Sequence, residues 1–230
     1  MPTYREACCL PTLLPALLNL QPPLDVLIVD DFSGDETTEF LRAHPAFDRR
    51  LFLLQRPTKL GLGSAYRAAY AWAALRDYAA IVQMDADLSH DPADIPRLLA
   101  ALDDGADLVV GSRYSHGISV VHWPLARLML SMAAGLYARW IGGIALTDPT
   151  SGFKAVRSTA LARINSDRIR AEGYGFQIEL HAAALRSGLR CQELPIVFTE
   201  RRNGQSKLSK TVAAEAIWVV AKLGVRRFLP

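Results

Sequence analysis

The chain has 230 residues, of which 50% are hydrophobic and 21% charged, and its net charge at pH 7 is +3. This composition excludes a disordered chain, a collagen and a disulfide scaffold, because the chain can bury a core without covalent staples. Three cysteines, two of them adjacent, indicate a reducing compartment and no cysteine metal site. We predict one domain over residues 1–230.

Charge is unevenly distributed along the chain. Residues 201–230 carry seven basic side chains and one acidic one, a net charge of +6, whereas the rest of the chain is −3. We predict a basic loop and a C-terminal helix in this segment, facing either an anionic partner or solvent. Nucleic acid is not expected as that partner, because the sequence carries no recognised nucleic-acid-binding module.

Two apolar segments are candidates for membrane contact. Residues 125–146 are interrupted by Arg127 and Arg139, and residues 212–225 are too short to cross a bilayer and include two charged side chains. We therefore expect neither to span a membrane. Both can lie on a membrane surface, although buried core helices produce the same pattern.

The first 120 residues alternate between apolar runs and helical patterns. Strands are predicted at 24–29, 51–54, 79–84 and 107–110, and helices at 35–43, 64–76 and 91–102, the last with Asp91 as its cap. This order predicts a doubly wound α/β fold with a mostly parallel sheet. Beyond it we predict a helix at 124–141, a strand near Phe153, a helix at 176–187, an extended stretch at 190–199 and the final helix.

Charged residues follow three of the predicted strands. Asp30 and Asp31 end the first, Asp85 and Asp87 follow the third, and Arg113 follows the fourth. Parallel sheets bind ligands at this edge, and carboxylates gathered there repel one another unless a cation lies between them. Asp85 and Asp87 therefore form a candidate Mg²⁺ or Mn²⁺ site. For Asp30 and Asp31, capping of the following turn explains the residues equally well.

A glycine-rich segment, Gly61-Leu62-Gly63-Ser64-Ala65, opens the second predicted helix. Its backbone N–H groups are a weak candidate for anion binding, and a flexible helix start explains them equally well. The segment matches neither a P-loop nor a dinucleotide fingerprint.

Nine segments in order make the chain resemble a known enzyme family. They include Pro2-Thr3-Tyr4-Arg5-Glu6, Met84-Asp85-Ala86-Asp87 and Asp148-Pro149-Thr150-Ser151-Gly152-Phe153, and the full set lies at 2–6, 29–33, 61–66, 84–90, 111–114, 123–127, 148–153, 173–179 and 201–210. The chain resembles the inverting nucleotide-sugar glycosyltransferases of the dolichol-phosphate (polyprenyl-phosphate) mannosyltransferase type. The resemblance covers about 200 residues.

The resemblance implies a GT-A fold, a GDP-mannose donor, a dolichyl or polyprenyl monophosphate acceptor and Mg²⁺ or Mn²⁺. It implies catalytic roles for Asp87, Arg113 and Arg127, with Asp85 and Asp87 at the metal. The substrate-binding residues that it implies are Pro2, Tyr4, Glu6, Val29, Asp31, Asp85, Ala86, Asp87, Arg113, Arg202 and Lys207.

The sequence departs from this family in two places. Arg5 stands where the family has Asn, and the family's apolar strand before Pro2 is missing. Since that strand lies in the middle of the sheet, its neighbours are expected to have unpaired edges.

The resemblance also predicts a cellular location for the protein. Some members of the family carry C-terminal membrane helices, which we do not find in this chain. We therefore expect peripheral contact with the cytoplasmic face of a membrane, with a membrane subunit as an option. We also expect residues 201–210 to form a loop that orders over the donor.

Three alternatives remain open at the level of sequence. A polyprenyl-phosphate glucosyltransferase would use the same machinery with UDP-glucose. A processive polysaccharide synthase would carry a Gln-x-x-Arg-Trp motif, whereas Arg139-Trp140 lacks the Gln. A non-catalytic nucleotide-sugar-binding homologue is supported only by the missing strand and by Arg5.

Overall fold

The computed structural model describes residues 1–166, 169–200 and 210–228, except the side chains of 210–213 and 226–228. The strands are β1 (Pro2–Thr3), β2 (Val26–Asp30), β3 (Leu51–Gln55), β4 (Ala80–Gln83), β5 (Leu108–Ser112), β6 (Val120–Val121), β7 (Lys154–Arg157), β8 (Cys191–Pro195) and β9 (Phe198–Thr199). The helices are α1 (Leu10–Leu18), α2 (Thr37–Arg42), α3 (Leu62–Ala74), α4 (Ile95–Asp103), α5 (Leu125–Trp140), α6 (Ser158–Ile164), α7 (Gly173–Arg186) and α8 (Lys210–Phe228).

The strands form a mostly parallel arrangement, as predicted. One sheet has the order β1-β2-β3 and is parallel, and the other has the order β4-β7-β5-β8. Strand β7 runs antiparallel to both β4 and β5, so β4 and β5 share a direction, and β8 is parallel to β5. Strands β6 and β9 form a small parallel pair.

The predicted helices are confirmed, and two further helices were not predicted. Helix α1 buries Leu10, Leu13, Leu14 and Leu17, a helical stripe, although Pro15 lies inside it. The helix expected from residue 91 begins as a 3₁₀ turn, Pro92–Asp94, before α4. The Asp91 side chain accepts a 2.9 Å hydrogen bond from the Ala93 N–H, which confirms its capping role.

An apolar cavity of about 460 Å³ separates β2 from β4. Its lining includes Leu27 of β2 and Ile81 and Val82 of β4. Among the described strands, none pairs with β4 on the edge that faces this cavity. The hydrogen bonds between β1 and β2 extend back to Met1, whose carbonyl accepts from the Val29 N–H at 2.9 Å. The edge of β4 that faces β2 is therefore unpaired among the described strands, as expected from the sequence.

The predicted polar residues lie at the carboxyl ends of strands in both sheets. Asp31 follows β2, Asp85 follows β4 and Arg113 follows β5, each at the carboxyl end of its strand. Open α/β sheets bind their ligands beyond the carboxyl ends of their strands.

Candidate active site

Asp30 and Asp31, at the end of β2, are buried and accept hydrogen bonds from nearby groups of the protein. Asp31 accepts hydrogen bonds from the N–H groups of Leu60 and Gly61, both at 2.9 Å, and forms a buried ion pair with Arg56 at 3.0 Å. Asp30 is buried and accepts from the Ser33 hydroxyl. The turn-capping explanation is therefore correct for Asp30.

The other two carboxylates, Asp85 and Asp87, lie in the loop after β4. Asp85 accepts from the Tyr66 hydroxyl at 3.2 Å and lies 3.6 Å from Nε2 of His90, and 37% of its side chain is exposed. Asp87 is nearly buried and accepts from the Ser89 backbone at 3.1 Å and hydroxyl at 2.5 Å. Burial, reinforced by Asp85, raises the pKa of Tyr66, so this residue stays a phenol that donates to Asp85.

The donor set of Asp85 and Asp87 fits a hard divalent cation. In residues 1–166, 169–200 and 214–225, no three His, Cys, Asp or Glu side chains are arranged to hold a metal on their own. Two carboxylates spaced i, i+2 supply the oxygen ligands that Mg²⁺ and Mn²⁺ favour, and these ions commonly complete their shells with phosphate oxygens. The residues therefore suit a metal that is shared with a diphosphate.

The start of α3 is occupied by a side chain of the protein. The Glu172 carboxylate accepts from the Ser64 N–H at 2.8 Å and from Arg67 at 2.6 Å. A Cβ added at Gly63 would lie 2.4 Å from the Ala171 carbonyl oxygen, so this glycine is required by close packing. The glycine-rich segment therefore serves helix packing, and Glu172 fills the position that an anion would take.

The residues after β1 form a partly open surface. The Lys59 ammonium lies 3.7 Å from the centre of the Tyr4 ring, and Glu6 is half-buried. Arg5 has a φ of +58°, a left-handed conformation that Asn tolerates better than Arg, and its N–H donates to the Ser33 hydroxyl at 2.9 Å. The positive φ at this position therefore explains why the family has Asn here.

Three other predicted substrate-binding residues are buried. Pro2 and Val29 pair in the β1–β2 ladder, and Ala86 is buried between the two aspartates of its loop. Their side chains therefore pack inside the protein.

Arg113 is held by a buried bidentate ion pair with Asp148. Nε and Nη2 donate to the Asp148 carboxylate at 2.7 and 2.6 Å, and Nη2 also donates to the Thr150 hydroxyl at 2.8 Å. Burial disfavours both charges, but their mutual attraction prevails. It raises the pKa of the Arg113 guanidinium and lowers that of the Asp148 carboxyl.

Asp148 and its supporting residue Glu193 were not assigned roles from sequence. The Glu193 carboxylate, on β8, accepts from the Asp148 N–H at 2.9 Å and from the Thr147 N–H at 2.7 Å. The sequence signal for Asp148 was its place in the segment 148–153, which was quoted without a role. Glu193 carries no local signal, because it is 45 residues away.

Arg127 lies close to Arg113 through a shared aromatic neighbour. The Trp123 ring centre is 4.3 Å from the Arg127 guanidinium carbon and 5.4 Å from that of Arg113. Arg127 also pairs with Glu200. The structure therefore brings these two predicted arginines together, and Trp123 is an added member of the site.

The two arginines line a cavity of about 440 Å³ between α5 and α8. Beyond them its walls are mainly small and apolar, and include Leu130, Ala133, Ala134, Ile217 and Val220. Arg127 is near the start of α5 and Tyr137 near its end, a span of about 15 Å at 1.5 Å per residue. We call this cavity the α5–α8 groove: a long apolar channel with cations at one end.

Arg202 and Lys207, together with the loop expected to close over the donor, lie outside the described residues.

A family profile described as "Glycosyl transferase family 2" matches residues 1–167 of the chain. The chain belongs to this family. It is therefore a glycosyltransferase, as the ordered segments predicted.

Curated relatives of this glycosyltransferase match it over most of its length. An undecaprenyl-phosphate mannosyltransferase from Micrococcus luteus is 44% identical over 98% of this chain and 92% of its own. A polyprenol monophosphomannose synthase from Mycolicibacterium smegmatis is 41% identical over 98% of this chain and 86% of its own. A dolichol-phosphate mannosyltransferase from Pyrococcus furiosus is 32% identical, over 92% of this chain and 59% of its own. The predicted family resemblance is confirmed.

Solved structures confirm the GT-A fold class of the glycosyltransferase. Glucosyl-3-phosphoglycerate synthase from Mycobacterium tuberculosis, solved with Mn²⁺, UDP and glucosyl-3-phosphoglycerate, superimposes with a TM-score of 0.70 at 20% identity. The match covers 100% of this chain and 78% of the other. At that identity the likeness concerns the fold alone.

Within the part of the chain that the structure describes, no helix combines the length and hydropathy needed to cross a bilayer.

Replacing Asp148 tests the importance of the buried ion pair. Asp148→Ala leaves the Arg113 charge buried and unpaired, which costs about 3–5 kcal/mol. We expect the melting temperature, measured by calorimetry, to fall by about 10 °C, since 1 kcal/mol corresponds to about 2–4 °C at this chain length.

Two controls define this result. Asp94→Ala removes the i, i+3 ion-pair partner of Arg97, whose side chain is exposed, and should cost less than about 1 kcal/mol. The double variant Arg113→Met with Asp148→Leu replaces both charges by apolar groups and should recover most of the loss. A double variant as unstable as Asp148→Ala would contradict this assignment.

Proposed function

We propose that the protein transfers mannose from GDP-mannose to a polyprenyl monophosphate with inversion, giving polyprenyl phosphate mannose. The observation that carries the proposal is the α5–α8 groove, an apolar channel with Arg113 and Arg127 at one end. The names of the two relatives at 41–44% identity support the sugar and the acceptor class.

The acceptor suits the groove in both of its parts. The phosphate binds at Arg113 and Arg127, because guanidinium groups bind phosphate through charge-assisted hydrogen bonds. The prenyl chain lies along Leu130, Ala134 and Ile217, where it is removed from water. A charged head with a long apolar tail matches this division better than a free sugar does.

The nucleophile needs little activation by the protein. A phosphate monoester carries close to two negative charges at pH 7, because its second pKa is about 6. One of its oxygens attacks the anomeric carbon, and the bond from that carbon to the GDP oxygen breaks with its electron pair on the diphosphate. We therefore assign no general base. The chief task is to hold two anions close together, and preorganised cations are the usual solution.

The donor side is built on the loop after β4 and on the residues after β1. Asp85 and Asp87 would hold Mg²⁺ or Mn²⁺, which supplies positive charge for the leaving diphosphate. Tyr4, Glu6 and Asp31 line the nucleotide pocket, with Lys59 as a further cation beside Tyr4. Arg202 and Lys207 bind phosphate on the donor or acceptor.

The proposal is tested by sugar transfer to a short polyprenyl phosphate. Protein with Mg²⁺ or Mn²⁺ receives labelled GDP-mannose, with labelled UDP-glucose in parallel, and the organic-extractable label is counted. We expect label from GDP-mannose only. Asp87→Ala should lower it at least a hundredfold, and Asp94→Ala, a substitution outside the site, should leave it unchanged.

Each of the other outcomes has a definite meaning. Label from UDP-glucose alone would replace mannose by glucose and keep the mechanism. Nucleotide binding without transfer from either donor would contradict the proposed reaction. Absence of nucleotide binding by the folded protein would favour a non-catalytic homologue.

We also propose that the groove opens onto a membrane surface. Apolar side chains on α5 and α8 are exposed, among them Met129, Leu136, Trp140 and Trp218. Arg139 is exposed on α5, and Lys222 lies 5.0 Å from the Trp218 ring. Apolar side chains beside cations are typical of helices that lie in a headgroup layer, and such contact would let the lipid enter the groove.

Flotation with vesicles containing anionic lipid tests this membrane contact. Trp140→Glu with Trp218→Glu removes two large apolar groups and adds two negative charges, so we expect bound protein to fall at least tenfold. Leu75→Glu, a charge on an 84% exposed residue at the end of α3, should leave binding unchanged. Equal binding by all three proteins would contradict the proposal.

A further inference from the structure

The turn at residues 148–153 connects the donor and acceptor sides of the site. At one end Asp148 holds Arg113 in the bidentate ion pair. At the other end Gly152 packs against Asp85 so closely that an added Cβ would lie 3.2 Å from its Oδ2. The position of this turn therefore determines how far Arg113 lies from Asp85.

Buried side chains hold three carbonyl groups of this turn. Each comes from a different element, and each lies 2.9 Å from its acceptor: His181 of α7 at Pro149, Lys154 of β7 at Ser151, and Gln83 of β4 at Gly152. Buried side chains therefore hold the carbonyl groups of three of the six residues in the turn.

Gln177 joins two of these side chains. Its Oε1 accepts from Gln83 at 2.8 Å and from the Lys154 ammonium. We call Gln83, Lys154, Gln177 and His181 the turn clamp, and all four are buried. Burial lowers the pKa of Lys154 to about 7, and the charges of Asp85 and Asp148 act to raise it. The amine therefore interacts electrostatically with a carboxylate on each side of the site.

His181 contributes to the clamp at a cost in stability. Because a carbonyl only accepts, Nδ1 must carry the proton that bonds to Pro149. Burial, with Lys154 nearby, lowers the pKa of His181 well below its usual value, so the ring is neutral. Nε2 is buried and has no hydrogen-bond partner among the described residues, which disfavours folding. A leucine would avoid that penalty but would leave the Pro149 carbonyl without its donor, so the bond to Pro149 is what favours a histidine here.

We propose that the turn clamp sets the separation between the acceptor phosphate at Arg113 and the leaving diphosphate at Asp85, with His181 as a positioning residue. The inference rests on the proposed function, because it concerns the two substrates of that reaction. In-line attack requires the reacting atoms about 3–3.5 Å apart, and a displacement of about 1 Å can cost about a hundredfold in rate. Loss of the clamp therefore lowers kcat, while the nucleotide pocket stays intact.

The test compares His181→Leu with His181→Asn. The asparagine amide can replace the Nδ1 donor to Pro149, whereas leucine fills the space without a donor. We expect kcat of His181→Leu to fall at least tenfold, with KM for GDP-mannose within twofold of wild type. The melting temperature should change little, because the Nε2 penalty is removed while the Pro149 carbonyl loses its donor. His181→Asn should retain kcat within about threefold.

Amide hydrogen exchange of the turn provides a readout that does not depend on activity. His181→Leu should speed exchange at Ser151 and Phe153, and His181→Asn should not. Equal kcat in wild type and His181→Leu, equal losses in both variants, or unchanged exchange would overturn the inference. If the wild type transfers no sugar, the proposed function fails while the exchange comparison still decides whether His181 holds the turn.

Discussion

The buried ion pair between Arg113 and Asp148 is the interaction on which the acceptor side of this glycosyltransferase depends. The Arg113 guanidinium lies among Tyr114, Trp123 and Phe198, and Asp148 accepts two of its hydrogen bonds in place of water. A buried pair adds little net stability, since desolvation of both charges offsets most of their attraction. What it provides is a fixed guanidinium beside an apolar channel, where we propose that the lipid phosphate binds.

The chemistry places two demands on the fold. The protein must hold two anions close together, and it must take the acceptor from a lipid environment. The sheet places Asp85 and Asp87, after β4, at the same edge as Arg113, after β5, and we propose that this arrangement meets the first demand. Helices α5 and α8 leave apolar side chains exposed and enclose the groove, and we propose that they meet the second demand. The turn at 148–153 joins the two halves and makes their spacing a property of the core.

Sequence predicted those features of the fold that depend on local pattern. Strands β2, β4 and β5 were visible as apolar runs, and Asp91 as a cap. Helix α1 was missed because Pro15 lies inside it, and only tertiary burial of its leucines outweighs that disfavoured residue. The antiparallel direction of β7 was not predicted, since strand direction depends on pairing with β4 and β5 far away in the chain.

The same distinction applies to the site. The aspartates and arginines were predicted because the family's segments contain them, and the structure brings Arg113 and Arg127 to one groove. Their supporting residues were not predicted: Glu193 holds Asp148 from 45 residues away, and Glu172 reaches Ser64 across 108 residues. Such contacts leave no periodic or spacing signal, because a residue's partner is defined only after the chain has folded.

The most direct measurement of the central claim is the affinity of the protein for farnesyl phosphate and for farnesol. Titration calorimetry would compare wild type with Arg113→Gln. Charge-assisted hydrogen bonds are worth about 1.5–3 kcal/mol, so wild type should prefer the phosphate by about tenfold or more, and Arg113→Gln should lose most of that preference while binding farnesol as before. Equal affinity of wild type for the two ligands, or an unchanged preference in Arg113→Gln, would contradict the acceptor site described.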